Sequence, residues 1–449
     1  MSASRSEASL EGAEIGMSQG NVAVIGLGYV GLPVACVLAE AGFDTVGIDI
    51  DVARVKTIND GMCPIEGKEP GIVQLIKKVV RNGKLHASAD YQEVAGADAI
   101  FVCLDSPIGP DHCPDLSILK SGTWEVGRRM KRQALVSIES TLPPGTMGNV
   151  LIPQLEKSSG MKAGKDFSVV HCPERVMPGK LLHNMTTLDR VIGGLDQESI
   201  GTSLSYYSKI TKGRLHTTDL ISAEISKTAE NAYRDVQIAF ANEIALICEQ
   251  MGAEAMEVRR LVNTCPFRDM HVPGAGVGGH CLPKDSWLLV SGASASQFKL
   301  LPAARAVNEG MPGHLCELAE QAMLEAERPM KDSLVSVMGL AFLSDSDDTR
   351  NSPAKEVIDH FLAQAQVVVH DEFVALPYKA PLVRSIHQAL SGSDCAIFVT
   401  DHSAYKKLDM NEIKEIMRTP VIVDGRNLFN QQEVRAKGFI YRGIGKGMK

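Results

Sequence analysis

The sequence has little of what would mark a membrane protein, a nucleic-acid-binding protein or a secreted one. Aromatic residues make up only 5% of the 449 residues, and no apolar run approaches the roughly 20 residues that span a bilayer. Residues 1–20 contain no apolar stretch of the signal-peptide type. The formal net charge is -8, without a stripe rich in Lys and Arg, which argues against a nucleic-acid partner. We therefore expect a soluble, cytoplasmic protein with no membrane or nucleic-acid partner.

The 10 cysteines are scattered along the chain, and no Cys-x-x-Cys pair occurs among them. This spacing argues against zinc ribbons and thioredoxin-type redox chemistry. In a long chain without a signal peptide, the thiols are expected to be mostly reduced and buried. The sequence therefore predicts no metal site, and it predicts that most of the cysteines are core residues.

Apolar runs of strand length alternate with helical segments in two regions, residues 21–215 and 326–449. Such alternation indicates parallel, doubly wound sheets. Between them, residues 216–325 carry helical apolar spacing, with no proline or glycine across residues 222–251. The predicted fold class is α/β, with two Rossmann-like, doubly wound domains joined by a central region that contains a long helix. Residues 1–20, rich in Ser, Glu, Gly and Ala, are predicted to be a disordered extension.

A glycine pattern typical of dinucleotide-binding sites follows the first predicted strand. Gly26, Gly28 and Gly31 form G-x-G-x-x-G where the strand ends and a helix begins. The first glycine permits a tight turn, the second lets the backbone approach a pyrophosphate, and the third allows close packing of helix and strand. Asp49, at the end of the second strand, would accept ribose hydroxyls and repel a 2′-phosphate, which favours NAD over NADP despite the nearby Arg54. The alternative is a glycine turn without a ligand.

A second glycine-rich segment, residues 276–285 (GVGGHCLPKD), contains Cys281. The backbone of such a segment can come close to a ligand. Adjacent cations are expected to lower the pKa of the Cys281 thiol and to favour the thiolate. Asp285 would lie one helical turn further on. The alternative interpretation is a buried cysteine that follows a flexible loop.

Three polar residues share one face of the predicted long helix. Lys227, Asn231 and Arg234 are spaced i, i+4 and i+7. The other faces are largely apolar, with residues such as Ile225 and Phe240, so the helix is expected to be buried and the polar stripe to line a cavity. A solvated helix face is the alternative, because surface helices carry similar stripes.

Together with further segments, these motifs resemble the UDP-glucose/GDP-mannose dehydrogenase family over nearly the whole chain, from Asn21 to about Phe429. The matching segments are GLGYVGLP, ESTLPPGT, CPERVMPG, AEISKTAENAYRDVQIAFANE, GVGGHCLPKD, GLAF with the later Arg350, and VDGRN. CPERVMPG and ENAYRDVQIAFANE resemble most the members that oxidise UDP-N-acetyl-D-mannosamine. The resemblance implies this UDP-sugar as substrate, NAD as cofactor, and a homodimer or higher homo-oligomer built on the long helix.

The resemblance also implies a four-electron oxidation of the sugar C6 alcohol to a carboxylate, with two NAD consumed. Cys281 would capture the intermediate aldehyde as a thiohemiacetal, and the second oxidation would leave a thioester for water to hydrolyse. Lys227 would act as acid and base, and Asn231 would help to hold the oxyanion. Asp285 would support the water network, and Glu174 would be a base near the thioester.

By the same resemblance, both ligands are expected to contact residues from several of the matching segments. The expected NAD contacts, besides the three glycines, are Tyr29, Val30, Asp49, Arg54, Ser106, Thr141 and Arg350. The expected substrate contacts are Arg175, Val176, Lys227, Asn231, Arg234, Arg268, Gly278, Phe342 and Arg426. Arginines suit a diphosphate because their donors form a fork.

Some positions depart from the family pattern. Leu343 stands where relatives usually carry Lys after GLAF, so a cation near the nucleotide diphosphate is missing. Asp105-Ser106-Pro107 replaces the usual Pro-Thr-Pro and adds a negative charge near the cofactor. Pro178 stands where UDP-glucose enzymes carry a second glutamate, and the segment around Arg268 aligns with a small shift in spacing.

Three other functions are left open by the sequence. The first is a related enzyme for UDP-N-acetylglucosamine or UDP-glucose. The second is a two-electron dehydrogenase of the β-hydroxyacid type, which has no need of a nucleophilic cysteine. The third is a UDP-sugar-binding protein without catalysis, which Leu343 and Asp105 would favour and the intact set of Cys281, Lys227 and Asn231 would not.

Overall fold

The computed structural model describes residues 20–65, 69–176, 179–293 and 297–447. The predicted extension over residues 1–20 lies outside the described residues except for Gly20, and Pro178 lies outside them too. In the described part of the chain, two β-sheets are covered by helices and joined by a helical region. The prediction of an α/β fold with two doubly wound domains is confirmed.

The first sheet is built from the N-terminal part of the chain. Its strands are β1 (Asn21–Ile25), β2 (Asp44–Ile48), β3 (Leu85–Ser88), β4 (Ala99–Val102), β5 (Leu135–Ile138), β6 (Ser168–His171), β7 (Arg190–Gly194) and β8 (Leu215–Asp219). In the described residues they lie in the order β3-β2-β1-β4-β5-β6-β7-β8. Winding reverses between β1 and β4, and ligands bind open α/β sheets at the carboxyl ends of strands beside such a point.

One pair in this sheet departs from the predicted parallel arrangement. β7 runs antiparallel to β6, with Val170 opposite Gly194, whereas β8 then pairs in parallel with β7. The other neighbours are parallel, as in the pairing of Val24 with Gly47 and with Phe101. The prediction of a wholly parallel first sheet is therefore wrong at this pair, because β7 enters the sheet from the opposite end.

The second sheet repeats the winding pattern of the first. Its strands are β9 (Leu334–Met338), β10 (Gln366–His370), β11 (Leu382–Val383), β12 (Cys395–Phe398), β13 (Val421–Asp424) and β14 (Ile440–Gly443). In the described residues their order is β11-β10-β9-β12-β13-β14, and every neighbouring pair is parallel. The first strand of each sheet therefore lies between the second strand and a later one.

Helices cover both sheets and form the region between them. Those of the first domain are α1 (Gly31–Glu40), α2 (Val52–Asn59), α3 (Ile72–Arg81), α4 (Ser117–Arg129), α5 (Ile152–Ser159), α6 (Leu181–Thr187) and α7 (Gln197–Ile210). Those between the sheets are α8 (Leu220–Met251), α9 (Ala255–Val262), α10 (Leu282–Ser291) and α11 (Leu300–Glu325). Those of the second domain are α12 (Pro353–Leu362), α13 (Ile386–Leu390), α14 (Met410–Ile416) and α15 (Gln431–Ala436). None of the described helices combines the length and the apolar character needed to cross a membrane.

The long helix α8 has clear signals at both ends. The Asp219 side chain accepts a hydrogen bond from the Ser222 backbone N–H (2.8 Å) at its start. Gly252, with φ of +71°, closes its last turn in the left-handed conformation that glycine tolerates. The expectation that the helix is buried on all its apolar faces is wrong, because the side chains of Ile225 and Phe240 are exposed.

A buried ion pair joins α8 to α11. Arg305 Nη1 lies 2.8 Å from Asp235 Oδ1, and both side chains are almost fully shielded from solvent. The Asn308 side chain also donates to Asp235 Oδ1 (2.8 Å), and the partly exposed Glu309 contacts the other end of the guanidinium (2.9 Å). Such a pair makes the packing of the two helices depend on both charges, since either one alone would be buried without compensation.

Arg305→Met is therefore expected to lower the free energy of unfolding by about 3–5 kcal/mol, because it leaves the Asp235 carboxylate buried and unpaired. Urea unfolding followed by circular dichroism measures the change. Arg260→Met is the control, because Arg260 is exposed and pairs with the exposed Glu257, and its effect should stay within about 1 kcal/mol. Equal effects of the two substitutions would contradict the structural role of the buried pair.

Candidate active site

The glycine loop between β1 and α1 forms a tight turn. Gly26 has φ of +86°, and its backbone N–H donates to the Ile48 carbonyl (2.7 Å). A Cβ at Gly31 would lie 1.8 Å from the Gly26 carbonyl oxygen, so only glycine lets α1 begin this close to β1. At Gly28 a Cβ would meet nothing within 4 Å, which leaves space for a ligand beside the backbone. The loop fits the pyrophosphate of a dinucleotide.

Asp49 follows β2 and ties that strand to the glycine loop. Its buried carboxylate accepts hydrogen bonds from the backbone N–H groups of Leu27 (2.8 Å) and Asp51 (2.9 Å), and Arg54 Nη1 lies 3.2 Å from Oδ2. A carboxylate offers about four acceptor positions. These three contacts therefore leave room for a ribose hydroxyl, and the arrangement fits NAD.

A cleft of about 640 Å³ lies between the glycine loop and the loop that follows β9. Its walls include Gly28, Tyr29 and Arg54 on one side and the segment from Leu343 to Arg350 on the other. The Arg350 guanidinium lies 5.7 Å from the centre of the Tyr29 ring, within cation–π range. Tyr29 and Arg350, both predicted NAD contacts, therefore meet across this cleft.

Two further predicted NAD contacts are joined to the helix that carries the cysteine. The Ser106 hydroxyl donates to the Thr141 carbonyl (2.6 Å), which links the loops after β4 and β5. The buried Lys284 ammonium donates to the Ser106 carbonyl (3.1 Å). Sequence analysis did not single out Lys284, although it stands three residues after Cys281 in a matched segment. Its hydrogen bond holds α10 against the first domain.

Four predicted catalytic residues lie together where α10 packs beside α8. Cys281 is at the N-terminus of α10, and the Asp285 backbone N–H donates to its carbonyl (2.9 Å). The Asn231 side chain on α8 donates to the Asp285 carboxylate (2.6 Å). Lys227, one turn before Asn231, is buried, and its charge acts on both Cys281 and Asp285. The predicted polar face of α8 therefore meets the cysteine segment.

The pKa of the Cys281 thiol is raised above its ordinary value, contrary to the prediction from its neighbouring cations. The residue is exposed, but surrounding protein atoms desolvate the thiolate, and the Asp285 carboxylate repels it. Lys227, Lys284 and Arg350 act in the opposite direction without outweighing these two effects. The prediction of a resting thiolate is therefore wrong, and the thiol carries its proton at neutral pH.

The segment before Cys281 is fastened to the second domain. The Gly279 backbone N–H donates to the Arg350 carbonyl (2.8 Å), and the Asn351 side chain donates to the Gly279 carbonyl (3.0 Å). A Cβ at Gly278 would lie 2.4 Å from Cβ of Phe342, so these two predicted substrate residues are in close contact. The cysteine therefore lies between the two domains, held by hydrogen bonds to each.

The arginines predicted to bind the substrate are spread over several places. Arg175 Nε lies 2.9 Å from Glu230 Oε2, and Arg426 Nη2 lies 3.2 Å from Asp401 Oδ1. Both pairs are partly exposed. Val176, beside Arg175, packs against the core of the first domain. Each of these two guanidinium groups is therefore already oriented by a carboxylate.

Arg234 and Arg268 lie apart from the cysteine cluster in the single chain. Arg234 is exposed on α8, and its charge adds to burial in lowering the pKa of His271. Arg268 is exposed and donates to backbone carbonyls of its own loop. No hydrogen bond or ion pair between described residues joins either arginine to Cys281. Their substrate role stays a prediction.

Glu174 directs its carboxylate into a buried cluster at the carboxyl ends of β5 and β6. Its Oε2 lies 2.9 Å from Arg190 Nη1, and the same nitrogen lies 3.6 Å from Glu139 Oε2. The Tyr207 hydroxyl donates to the other oxygen of Glu139. Among described residues, no contact joins Glu174 to Cys281, so its role as a base also stays a prediction.

Two of the departures from the family pattern, Leu343 and Asp105, border the site. Leu343 is 39% exposed and lines the cleft. Asp105 is exposed, and its charge acts on His280, the neighbour of Cys281. Burial and the charge of Lys284 lower the pKa of His280 to about 4, so this imidazole is neutral at physiological pH. Asp105 therefore faces a neutral partner rather than a cation.

Three side chains that the sequence did not point to hold predicted site residues in place. Arg190 pairs with Glu174, Glu139 shares that guanidinium, and Glu69 accepts a hydrogen bond from the Tyr29 hydroxyl. Of these, Glu139 lies within a matched segment, ESTLPPGT, and could have been found there. The others lie outside the matched segments, so only the folded chain identifies them.

Comparison with known proteins gives matches along the chain. The UDP-glucose/GDP-mannose dehydrogenase family matches with its NAD binding domain over residues 20–211, its central domain over residues 221–310 and its UDP binding domain over residues 336–431. The UDP-N-acetyl-D-mannosamine dehydrogenase of Pyrococcus horikoshii is 39% identical over 430 residues, which is 95% of this chain and 99% of the relative.

Two solved structures match with both sheets and the helices between them. The UDP-D-ManNAc dehydrogenase from Pyrococcus horikoshii matches with a TM-score of 0.89 and 38% identity, over 95% of this chain and 99% of that one. The NDP-N-acetyl-D-galactosaminuronic acid dehydrogenase from Methanosarcina mazei Go1 matches with a TM-score of 0.85 and 36% identity, over 95% of each chain.

Glu139→Gln is expected to remove a pH dependence of stability. Burial raises the pKa of Glu139 to about 7 although Arg190 opposes the shift. A carboxyl with a raised pKa contributes stability that is fully present below its ordinary pKa of 4.5 and is lost as the pH rises through about 7. The free energy of unfolding of the wild type should therefore fall relative to the variant by roughly 3 kcal/mol over this range.

Urea unfolding at half-unit pH steps measures this difference. Glu40→Gln, at an exposed glutamate that pairs with Lys78, is the surface control. If the stabilities of the wild type and of Glu139→Gln change in parallel with pH, Glu139 does not carry a proton in the folded protein, and the assignment is wrong.

Proposed function

The chain belongs to the UDP-glucose/GDP-mannose dehydrogenase family, and from this we propose that it oxidises the C6 alcohol of UDP-N-acetyl-D-mannosamine to the uronate. As a member it is an NAD-dependent nucleotide-sugar dehydrogenase with a UDP-binding domain. Both similar proteins named above are named for N-acetylated sugars, which supports an N-acetyl group at C2 of the substrate. The segment CPERVMPG supports the same choice.

The observation that carries the proposal is the cluster of Cys281, Lys227, Asn231 and Asp285. A two-electron dehydrogenase needs groups that move a proton, but it needs no nucleophile. A thiol beside a lysine and an amide suits an enzyme that must carry an aldehyde on to a carboxylate. The hydrogen bond from Asn231 to Asp285 (2.6 Å) supports a fixed arrangement of these groups around the sulfur.

In the first oxidation, the C6 hydroxyl loses its proton to Lys227, acting as the base directly or through water held by Asp285. NAD, when bound, would supply the acceptor for the hydride that leaves C6. The aldehyde that results is the electrophile for Cys281, whose sulfur forms a bond to C6. Because the thiol is protonated at rest, its proton can pass to the former carbonyl oxygen, and the addition yields a neutral thiohemiacetal.

In the second oxidation, the thiohemiacetal hydroxyl loses its proton to Lys227, and C6 loses a second hydride to the acceptor that a second NAD would supply. These losses leave a thioester on Cys281. Water then adds to the thioester carbonyl, the C–S bond breaks, and the products are the carboxylate and the free thiol. Lys227 and Asn231 are the proposed donors to the oxyanion of this step. Glu174 is the proposed base for the water, which requires its carboxylate to turn away from Arg190.

The residues present fit NAD in the first domain. Gly26, Gly28 and Gly31 would cradle the pyrophosphate, Asp49 would accept the ribose hydroxyls, and Tyr29 would close one side of the cleft. The other proposed contacts are Val30, Arg54, Ser106, Thr141 and Arg350. The proposed substrate contacts are Arg175, Val176, Lys227, Asn231, Arg234, Arg268, Gly278, Phe342 and Arg426.

We further propose that the protein is a homo-oligomer built on α8. Large apolar side chains along this helix are exposed in the single chain, among them Tyr233 (66%), Phe240 (54%) and Met251 (75%). Rows of exposed apolar residues of this kind favour burial against another protein surface, and a second copy is the simplest partner. Size-exclusion chromatography with light scattering measures the resulting mass.

Two other substrates and two other functions compete with this proposal. UDP-N-acetylglucosamine differs in the configuration at C2, and UDP-glucose lacks the N-acetyl group. A non-catalytic UDP-sugar-binding protein would be favoured if Leu343, where relatives carry Lys, left the diphosphate bound but misplaced for catalysis. A two-electron hydroxyacid dehydrogenase would leave Cys281 without a role.

Purified protein with NAD and UDP-N-acetyl-D-mannosamine is expected to form two NADH for each uronate, because both oxidations take place at one site. Cys281→Ser should abolish uronate formation, since a hydroxyl forms no thioester. NADH absorbance and mass spectrometry of the nucleotide sugar measure the ratio. Parallel reactions with UDP-N-acetylglucosamine and UDP-glucose identify the sugar.

Cys113→Ser is the matched control, because the proposed mechanism gives this exposed thiol no role, and it should keep full activity. One NADH per substrate, or normal uronate formation by Cys281→Ser, would rule out the thioester route. Tight UDP-sugar binding without any turnover would favour the non-catalytic alternative, and Leu343→Lys would then be the first substitution to test for recovery of activity.

A further inference from the structure

Glu69 holds two segments that belong to different ligand sites. Its Oε1 accepts a hydrogen bond from the Tyr29 hydroxyl in the glycine loop and another from the Gly179 backbone N–H (2.6 Å). Its Oε2 accepts from the Leu181 backbone N–H (3.1 Å) at the start of α6. Glu69 itself lines the cleft beside Tyr29. One carboxylate therefore connects the cofactor loop to the end of the CPERVMPG segment.

The chemistry of these contacts requires a carboxylate. An ionised glutamate is an acceptor only, and its two oxygens can take all three donors at once. Hydrogen bonds to a charged acceptor are shorter and stronger than those between neutral groups. Burial and the bond to Glu69 raise the pKa of Tyr29, so its hydroxyl stays protonated and remains the donor.

The other side of Tyr29 extends the connection to the second domain. The Arg350 guanidinium lies 5.7 Å from the centre of the Tyr29 ring, and the Arg350 carbonyl accepts the Gly279 N–H two residues before Cys281. The position of the Tyr29 ring is therefore set by Glu69 on one side and by Arg350 on the other. A shift of Glu69 would affect the cofactor loop and the start of α6 together.

We propose that Glu69 is a positioning residue that makes the NAD site and the sugar site form together, by holding Tyr29 and the 179–181 segment with one carboxylate. The sugar half of this proposal rests on the function proposed above. Segments held by supporting hydrogen bonds keep their ligand contacts within the narrow limits that tight binding requires. Loss of the shared acceptor should therefore weaken both ligands, although Glu69 is not required to contact either.

Glu69→Gln tests the proposal because it keeps the size and replaces one acceptor oxygen by an NH2 group that cannot accept the backbone N–H donors. Calorimetric titration without turnover would use NADH alone, and separately the UDP-sugar that the wild type oxidises, without NAD. We expect affinity for each to fall by about tenfold, the equivalent of one or two lost hydrogen bonds. Tyr29→Phe should weaken NADH only, because Gly179 and Leu181 keep their acceptor.

Two controls separate positioning from general damage. Glu40→Gln, on the first domain's surface, should leave both affinities unchanged, and the thermal unfolding midpoint of Glu69→Gln should match that of the wild type. If Glu69→Gln weakens one ligand alone or neither, the proposal is overturned. The titration uses whichever UDP-sugar the wild type oxidises. A wrong assignment of the sugar would therefore be detected by the measurement of NADH and uronate, and it would not affect the test of Glu69.

Discussion

The hydrogen bond from the Gly279 N–H to the Arg350 carbonyl (2.8 Å) joins the cysteine segment to the second domain, and the arrangement of the site depends on it. The Asn351 side chain donates a second hydrogen bond to the Gly279 carbonyl (3.0 Å), so both backbone polar groups of Gly279 are held by the second domain. On the other side, Lys284 ties α10 to the Ser106 loop of the first domain (3.1 Å). Cys281 lies between these two attachments. Its position between the domains is therefore set by one main-chain hydrogen bond and by the side chains of Asn351 and Lys284.

The first loop of each domain is stabilised by the same two kinds of hydrogen bond, but the two loops have different roles. In the first domain, Asp49 accepts the Leu27 N–H (2.8 Å), and Gly26 donates to the carbonyl that ends β2. In the second, Asp371 accepts the Leu340 N–H (2.8 Å), and Gly339 donates to the last residue of β10 (2.8 Å). The first loop continues directly into a helix and leaves its backbone open for a phosphate. The second continues into the segment that docks the cysteine, so one turn geometry serves a cofactor in one domain and a catalytic segment in the other.

Features set by local spacing could be predicted from the sequence. The glycine loop and the shared face of Lys227 and Asn231 follow from strand, turn and helix periods, and the structure agrees with both. Contacts between distant segments could not be predicted, since Tyr29 and Glu69 are 40 positions apart and no local pattern relates them. The expected direction of the Cys281 pKa was wrong for a related reason. Neighbouring cations can be counted in a sequence, but the desolvation that outweighs them depends on how the domains close around the thiol.

The arginines differ in how far their side chains are buried. Those that are partly exposed are accessible to a ligand, whereas one that is buried stabilises the fold. Arg54, Arg175, Arg350 and Arg426 each pair with a carboxylate, yet their side chains remain 29–47% exposed. Ion pairs this exposed contribute little, roughly 0–1 kcal/mol, so phosphate oxygens can replace or join the carboxylates at small cost. Arg190 is different, because its side chain is 5% exposed and its loss would leave the buried Glu174 carboxylate without its cationic partner. An exposed guanidinium that is already paired with a carboxylate is oriented before an anion binds. The carboxylate also reduces the repulsion that several unpaired cations around one site would cause. Each of these paired carboxylates therefore orients a guanidinium and still leaves it accessible to an anion.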